Sequence, residues 1–427
     1  MTDPRFAYQE TFACVQCGYC LPACPTYQSM GKETHSPRGR INLVKMAAEG
    51  KLSLSELAEP IDLCLGCRAC ETACPTNVQY GKILDSAKTA LTEERKSSTS
   101  WLKKKGQQLA FEKVLPNPQL LQTLGTGLYL YQQSGAAKLS KKTKLTDSLL
   151  PEALASFEAV TPAAVSPWQR KQRPHHLQAK GEPRYRVGYF TGCLMDTLFA
   201  TINDQAIQLL QLAGCEVTVI EEQTCCGALQ HHSGERELAK NLAKANIAAF
   251  EQHSFDWVVN SIGGCGAMLI EYGELLHEEE EWRERAERFA AKNVDISVIL
   301  AKVLLPFTTE INKVATYQPS CHMTHVQKRT TEPLQLLQLI PGITYVPLNQ
   351  KEMCCGSAGI YNLVHYGEAM EILDHKMKEV HRVKPEMIVT TNPGCHLQMK
   401  MGVKREGLEE QIEVVHLVEL LAEACGL

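Results

Sequence analysis

Cys14, Cys17, Cys20 and Cys24 are separated by two, two and three residues, and Pro25 follows the last of them. The same pattern returns at Cys64, Cys67, Cys70 and Cys74, closed by Pro75. A two-residue gap lets a loop curl three thiolates around one face of a cubane iron–sulfur cluster. The fourth cysteine is carried away from that loop to a second cluster, so one run demands the other. The spacing predicts one [4Fe–4S] cluster on Cys14, Cys17, Cys20 and Cys74 and another on Cys64, Cys67, Cys70 and Cys24. Zinc ribbons use paired CxxC arms rather than triplets closed by Cys-Pro, which argues against zinc here.

The length, 427 residues, corresponds to about three domains of ordinary size. Apolar residues make up 44% and charged ones 22%, as in globular domains with their own cores. A net charge of −4 gives no electrostatic footprint for nucleic acid. No apolar run is long enough to span a membrane. Met1-Thr2-Asp3-Pro4-Arg5-Phe6 lacks a basic segment followed by an apolar one, so the expected setting is cytoplasmic, with any contact to the inner face of the cell membrane peripheral. In a reducing cytosol, 18 cysteines point to metal rather than to disulfides.

The expected fold is α+β overall, in four parts. Residues 1–90 form a helical two-cluster unit, with a helix starting at Pro37 and running through Ile41 to Ala48. There, Arg38 and Arg40 either balance the charge of a reduced cluster or sit solvated in the first turn. Residues 91–185 read as a connector, helical around Trp101 to Phe111 and ending in an exposed Pro-rich linker that contains His175 and His176. Residues 186–305 and 312–427 are two copies of one unit. Each copy alternates short apolar strands with helices, as βαβ units do, giving two pseudo-symmetric α/β lobes. The expected strands begin at Tyr185, Glu216, Trp257 and Val294 in the first copy, and at Val314, Ile343, Glu386 and Ile412 in the second.

The cysteines recur with the strands. Cys193, Cys225, Cys226 and Cys265 in the first copy match Cys321, Cys354, Cys355 and Cys395 in the second. In each, a vicinal Cys-Cys-Gly triplet is flanked by single cysteines about 30–40 residues away, and all lie at strand ends, where open α/β sheets place their ligands. The glycine frees the backbone to aim both thiolates at one centre. Three readings stand open: a further iron–sulfur cluster, zinc, or a vicinal redox pair without metal. Cys215 and Cys425 fall outside the pattern and read as core thiols. His231, His232, His322, His325 and His396 lie near the cysteines. Each is either a proton carrier for an acceptor such as a quinone or an ordinary hydrogen-bonding residue; His322, which directly follows Cys321, is the first to test.

With Cys24-Pro25-Thr26-Tyr27, Ser36-Pro37-Arg38-Gly39-Arg40, Thr191-Gly192-Cys193-Leu194-Met195, Cys225-Cys226-Gly227-Ala228-Leu229, Gly264-Cys265-Gly266-Ala267-Met268 and Cys354-Cys355-Gly356-Ser357-Ala358-Gly359, the chain resembles the iron–sulfur subunits of glycolate oxidase (glycolate dehydrogenase). These belong to the wider CCG-domain family, which includes subunits of heterodisulfide reductase, anaerobic glycerol-3-phosphate dehydrogenase and lactate-utilisation complexes. The resemblance implies an electron-transfer subunit. A partner bearing FAD oxidises a 2-hydroxy acid such as glycolate to glyoxylate, and this chain carries the electrons towards quinone. The related lactate and glycerol-3-phosphate systems, and a disulfide reductase, are the alternatives.

One departure bears on the last alternative. CCG domains that hold a non-cubane cluster typically end in CxxC. Here the copies end Cys265-Gly266-Ala267-Met268 and Cys395-His396-Leu397-Gln398, so a fifth thiolate is missing from both. The chain also has no GxGxxG after a strand and no P-loop. Hydride removal needs a two-electron cofactor, so no catalytic residue for the hydroxy acid is expected on this chain.

Overall fold

The structure is a computed structural model and describes residues 2–98, 101–143 and 150–427. Two serines start the helices of the N-terminal unit. Ser36 accepts a hydrogen bond from the Gly39 amide (3.0 Å) and caps Pro37–Ala48. Ser53 forms a capping box with Glu56 at the head of Leu54–Asp62. The long helix Tyr80–Ser98 packs across both. Val44, Leu57, Ile61, Ile83 and Ala87 are fully buried between them, making a core with Cys64 and Cys70 at its edge.

The connector is largely helical. Trp101–Gln108 runs into a π-helical turn, Leu109–Val114, followed by Pro118–Gln133, Ala136–Thr143, Glu152–Val160 and Pro167–Lys171. Its Pro-rich end is anchored rather than loose. The Arg173 guanidinium donates to Asp196 and Asp204 (both 2.5 Å). His176–Leu177 forms a short strand, β1, that pairs antiparallel with β3 (Cys215–Val219). As composition suggested, most of this stretch, His175 and His176 included, is exposed. What composition could not reveal is that one arginine would find two carboxylates on a neighbouring lobe.

The remaining strands are β2 (Tyr185–Tyr189), β4 (Trp257–Asn260) and β5 (Asn293–Asp295) in the first lobe, and β6 (Lys313–Gln318), β7 (Ile343–Tyr345), β8 (Met387–Thr390) and β9 (Glu413–His416) in the second. The sheets run β1-β3-β2-β4-β5 and β7-β6-β8-β9, parallel throughout except at β1. Without β1 the two orders coincide strand for strand, so the repeat read from the sequence is a repeat of topology. The buried tyrosines coincide as well: Tyr189 hydrogen-bonds Asn203 and Ser261 (both 3.0 Å), and Tyr317 hydrogen-bonds Thr391 (3.2 Å).

Two expected elements differ. The closing stretch of each lobe is a short strand that turns at once into a helix, Ile296–Leu300 or Leu417–Ala424. The turn comes from Asp295 and His416, whose side chains accept hydrogen bonds from the amides of Ser297 and Val418 and so cap those helices. The helical stretch that follows β2 is broken at Phe199 into Cys193–Leu198 and Ala200–Leu212.

One apolar core crosses between the lobes. It contains Val187, Ile207, Leu210 and Val259 of the first with Ala315, Leu337, Val389 and Leu421 of the second. The Gly263 amide donates to Thr391 O (3.1 Å) and the Gly264 amide to Asn392 Oδ1 (3.0 Å), stitching the two cysteine-bearing strand ends together. Among the described residues, no helix is long and apolar enough to cross a membrane.

Candidate metal centres

The first eight cysteines fall around two small cavities. One is lined by Cys14, Cys17, Cys20, Cys70 and Cys74, with Arg38 and Tyr80. The other is lined by Cys24, Cys64, Cys67 and Cys70, with Thr26, Arg40 and Tyr80. Cys24 thus stands with the second triplet and Cys74 with the first. Cys17 is exposed, whereas Cys24, Cys64, Cys67 and Cys70 are buried. Burial pushes the Cys67 and Cys70 thiols well above their usual range, so a cationic group would be needed to hold them as thiolates.

The two arginines between the cysteine runs divide the roles considered for them. Arg38 is half-exposed, pairs with Glu33 (2.7 Å) and donates to Gln16 O (3.2 Å). Arg40 is 1% exposed. Its Nε donates to Pro60 O (2.6 Å) and its Nη1 to Thr26 Oγ1 (3.1 Å). Nη2 is buried with no hydrogen-bond partner among the described residues. Burial disfavours this charge, but its attraction to Cys64, Tyr80 and Cys24 outweighs that cost and holds the guanidinium protonated. A buried cation with a spare donor, set against a ring of sulfurs, fits an anionic cluster held there.

The other eight cysteines share one place. Cys193, Cys225, Cys226, Cys265, Cys321, Cys354, Cys355 and Cys395 all line a single cavity of about 630 Å³. Cys193 and Cys225 Sγ are 3.4 Å apart, and Cys226 and Cys265 Sγ 3.2 Å. Contact with Cys225 and with Cys354, reinforced by burial, holds the thiols of Cys193 and Cys321 well above their ordinary range. The local geometry comes from the glycine after each vicinal pair. Gly227 has φ 84° and Gly356 φ 94°, and a Cβ on Gly356 would lie 2.7 Å from Ala369 O. Among the described residues, no three Cys, His, Asp or Glu side chains converge closely enough to share a single metal ion.

The lobes differ in the residue that the long helix behind each vicinal pair supplies. Lys376, from helix Tyr366–Val383, is buried and donates to Gln350 O (2.6 Å). Burial lowers its pKa to about 8, against the pull of Cys355 and Cys354. The matching helix of the first lobe, Arg236–Glu251, instead sends Asn246, which donates to Cys225 O (3.0 Å).

The histidines separate cleanly. His325 is held by Thr72 Oγ1 (2.9 Å), and His396 sits between Thr390 Oγ1 (3.2 Å) and the edge of Phe199, so both are structural. His232 and His322 line the large cavity, with ring centres 5.1 Å apart. The Nε2–H of His322 donates to Gly66 O (3.1 Å), within the second cysteine run. Burial lowers the pKa of both rings. His231 pairs with Asp85 (3.1 Å) on the helix Tyr80–Ser98. Cys215 and Cys425 lie in the core shared by the lobes.

Sequence reasoning missed the wall that joins these sites. Cys70 lines both small cavities, and Cys64 lines both the second of them and the large one. Phe111 of the connector also lines the large cavity, where its carbonyl accepts from Gln230 Nε2 (3.1 Å). The signal for this was the recurrence of cysteine positions at the strand ends of both copies, which the fold gathers around one cavity.

Residues 10–78 match the family described as a 4Fe–4S dicluster domain. Residues 187–270 and 315–400 match the cysteine-rich CCG domain. Residues 102–161 match the linker region of the glycolate oxidase iron–sulfur subunit. The chain is 44% identical over 422 residues to a probable glycolate oxidase iron–sulfur subunit of Bacillus subtilis, covering 98% of this chain and 94% of that one. It is 31% identical to the glycolate oxidase iron–sulfur subunit of Escherichia coli, over 94% of this chain and 93% of that one. Lactate utilization protein A of an Exiguobacterium species is 33% identical over 56% of this chain and 97% of its own length. With a dicluster domain, its linker and two cysteine-rich lobes in one order, the chain belongs to the family of glycolate oxidase iron–sulfur subunits.

Proposed function

We propose that this chain is the electron-transfer subunit of a complex that oxidises glycolate to glyoxylate, receiving electrons from an FAD-bearing partner and delivering them to a quinone. In this reading Cys14, Cys17, Cys20 and Cys74 hold one [4Fe–4S] cluster, and Cys64, Cys67, Cys70 and Cys24 hold the other. Bound clusters accept and release single electrons, which splits the pair that a flavin takes from a hydroxy acid. The observation that carries the reading is the shared wall: Cys70 belongs to both small cavities, and Cys64 to the second of them and to the large one. That continuity runs from the exposed Cys17 to the cavity between the lobes.

The chain's own residues divide the work. Cys17 opens the first site to a partner. Arg40 supplies a buried positive charge beside the second. Around the large cavity, two sets of four cysteines line about 630 Å³, room for a cluster-sized group. His232 and His322 border that cavity; with the N–H of His322 given to Gly66 O, the ring able to donate to a quinone carbonyl is that of His232. Glycolate is favoured over lactate because the relatives that match this chain over nearly its full length carry the glycolate oxidase name.

The test is Cys64→Ser in the assembled complex. Substrate should still reduce the partner's FAD, while quinone reduction should be abolished. Normal quinone-linked turnover would end the relay reading.

A further inference from the structure

We propose that the connector helix Pro118–Gln133, together with its packed neighbours, is a docking surface for an anionic membrane. This helix contains no charged residue in 16 positions. Its inner side is Leu121 and Gly125, both buried. A Cβ on Gly125 would come within 2.8 Å of Arg170 and 3.3 Å of Thr197. At 100° per residue, Leu120, Leu124 and Leu130, with Thr123 and Gly127, fall within an arc of about 120° on the opposite side. Leu124 and Leu130 are 58% and 57% exposed, and a Cβ on Gly127 would meet nothing within 4 Å.

The neighbours add exposed apolar side chains. Ala136–Thr143 packs against the helix and presents Leu139, 63% exposed, between the exposed Lys138 and Lys142. Pro167–Lys171 packs on it as well and presents Trp168, 68% exposed. Exposed leucines beside a tryptophan, bordered by lysines, are the composition of a surface that seats at a lipid headgroup boundary.

Charge selects the occupant. Residues 101–150 hold eight lysines against two acidic residues in a chain whose net charge is −4, so the rest of the chain is net acidic. Of these, Lys105, Lys113, Lys138 and Lys142 are exposed and flank the uncharged helix in sequence, a charge complementary to a negative surface. The helix that carries the surface also packs on two elements of the cavity between the lobes. The helix packs against Cys193–Leu198, which begins at a cavity-lining cysteine, and against Leu109–Val114, whose Phe111 lines the same cavity. For its purpose, delivery of electrons to a lipid-soluble quinone, the inference rests on the proposed function. The membrane contact itself does not.

Flotation of the purified full-length chain tests the contact. With vesicles of phosphatidylglycerol and phosphatidylcholine the wild type should float, with phosphatidylcholine alone it should not, and added salt should release it. Leu120→Gln/Leu124→Gln/Leu130→Gln should lower partitioning at least about tenfold. Lys138→Gln/Lys142→Gln should lower it about fivefold per lysine and only on the anionic vesicles. All five side chains are exposed, so the melting temperature should stay unchanged and reduction of a water-soluble quinone analogue should persist. The proposal is overturned if the wild type stays unbound, or if the triple leucine variant floats as well as wild type. It is also overturned if that variant loses the flavin partner while vesicles never bind, which would make the face a protein interface. A chain that floats but cannot reduce the soluble quinone would sink the acceptor reading and leave this surface standing.

Discussion

His231 Nε2 and Asp85 Oδ2 lie 3.1 Å apart across the seam between the N-terminal unit and the first lobe. Burial works against both charges, yet the pair holds His231 above its usual pKa and Asp85 below its own. Close by, Arg68 bridges Glu71 (2.7 Å) and Glu271 (2.8 Å) across the same seam. These contacts fix the second cysteine run against the lobes.

The seam pair should therefore be pH-sensitive in both directions. The His231 contribution is present below about pH 6.5 and fades as pH rises through its raised folded value. The Asp85 contribution is present above about pH 4 and fades as pH falls towards its lowered one. Asp85→Asn should cost about 1–2 kcal/mol near pH 5.5, where both are charged, and much less at pH 9. Thermal melts across that range will read the difference.

The crossed assignment of the first eight cysteines predicts which variants behave alike. Cys74→Ser should remove the same reduced EPR signal as Cys14→Ser, and Cys24→Ser the same signal as Cys64→Ser. Each should lower iron content by about four atoms per chain. Pairing of Cys24 with Cys14 would reverse the assignment.

The glycines after the two vicinal pairs should not be equally sensitive. Both need a left-handed backbone, at about 1–2 kcal/mol for any other residue. A Cβ on Gly356 would also lie 2.7 Å from a carbonyl oxygen, whereas on Gly227 the nearest atom is Ala239 Cα at 3.3 Å. Gly356→Ala should be the more destabilising by about 1 kcal/mol or more in chemical denaturation.

Asp295 is a buried helix cap whose pKa burial raises to about 6. Its folded value lies above the unfolded one, so its contribution to stability is greatest at low pH and falls as pH rises from about 4 to 6. Asparagine keeps the cap without the charge. Asp295→Asn should therefore stabilise the protein by about 2 kcal/mol at pH 7.5 and leave it little changed at pH 4, where unfolding curves should nearly coincide.

What the sequence disclosed was whatever repeats or is spaced by local geometry. The two runs from Cys14 and Cys64 each define a cysteine loop within a dozen residues. Strands such as Trp257–Asn260 and Met387–Thr390 announce themselves as apolar runs that end at cysteines. What stayed hidden depends on partners far away in the chain. Nothing near Arg173 points to Asp196 and Asp204, so the end of the connector looked loose. Val294 to Leu300 is apolar apart from Asp295 and Ser297, and only the cap at Asp295 decides where strand becomes helix. The placement of Cys64 in the wall of the large cavity needed the packing of three units, which no periodicity records.

The core that passes from Val187 and Leu210 to Val389 and Leu421 has a thermodynamic consequence. Each half of the duplication completes its hydrophobic interior with side chains from the other. Neither is then an autonomous folding unit, and residues 186–427 should melt in a single cooperative transition. A half expressed alone should aggregate through the surface its twin normally covers.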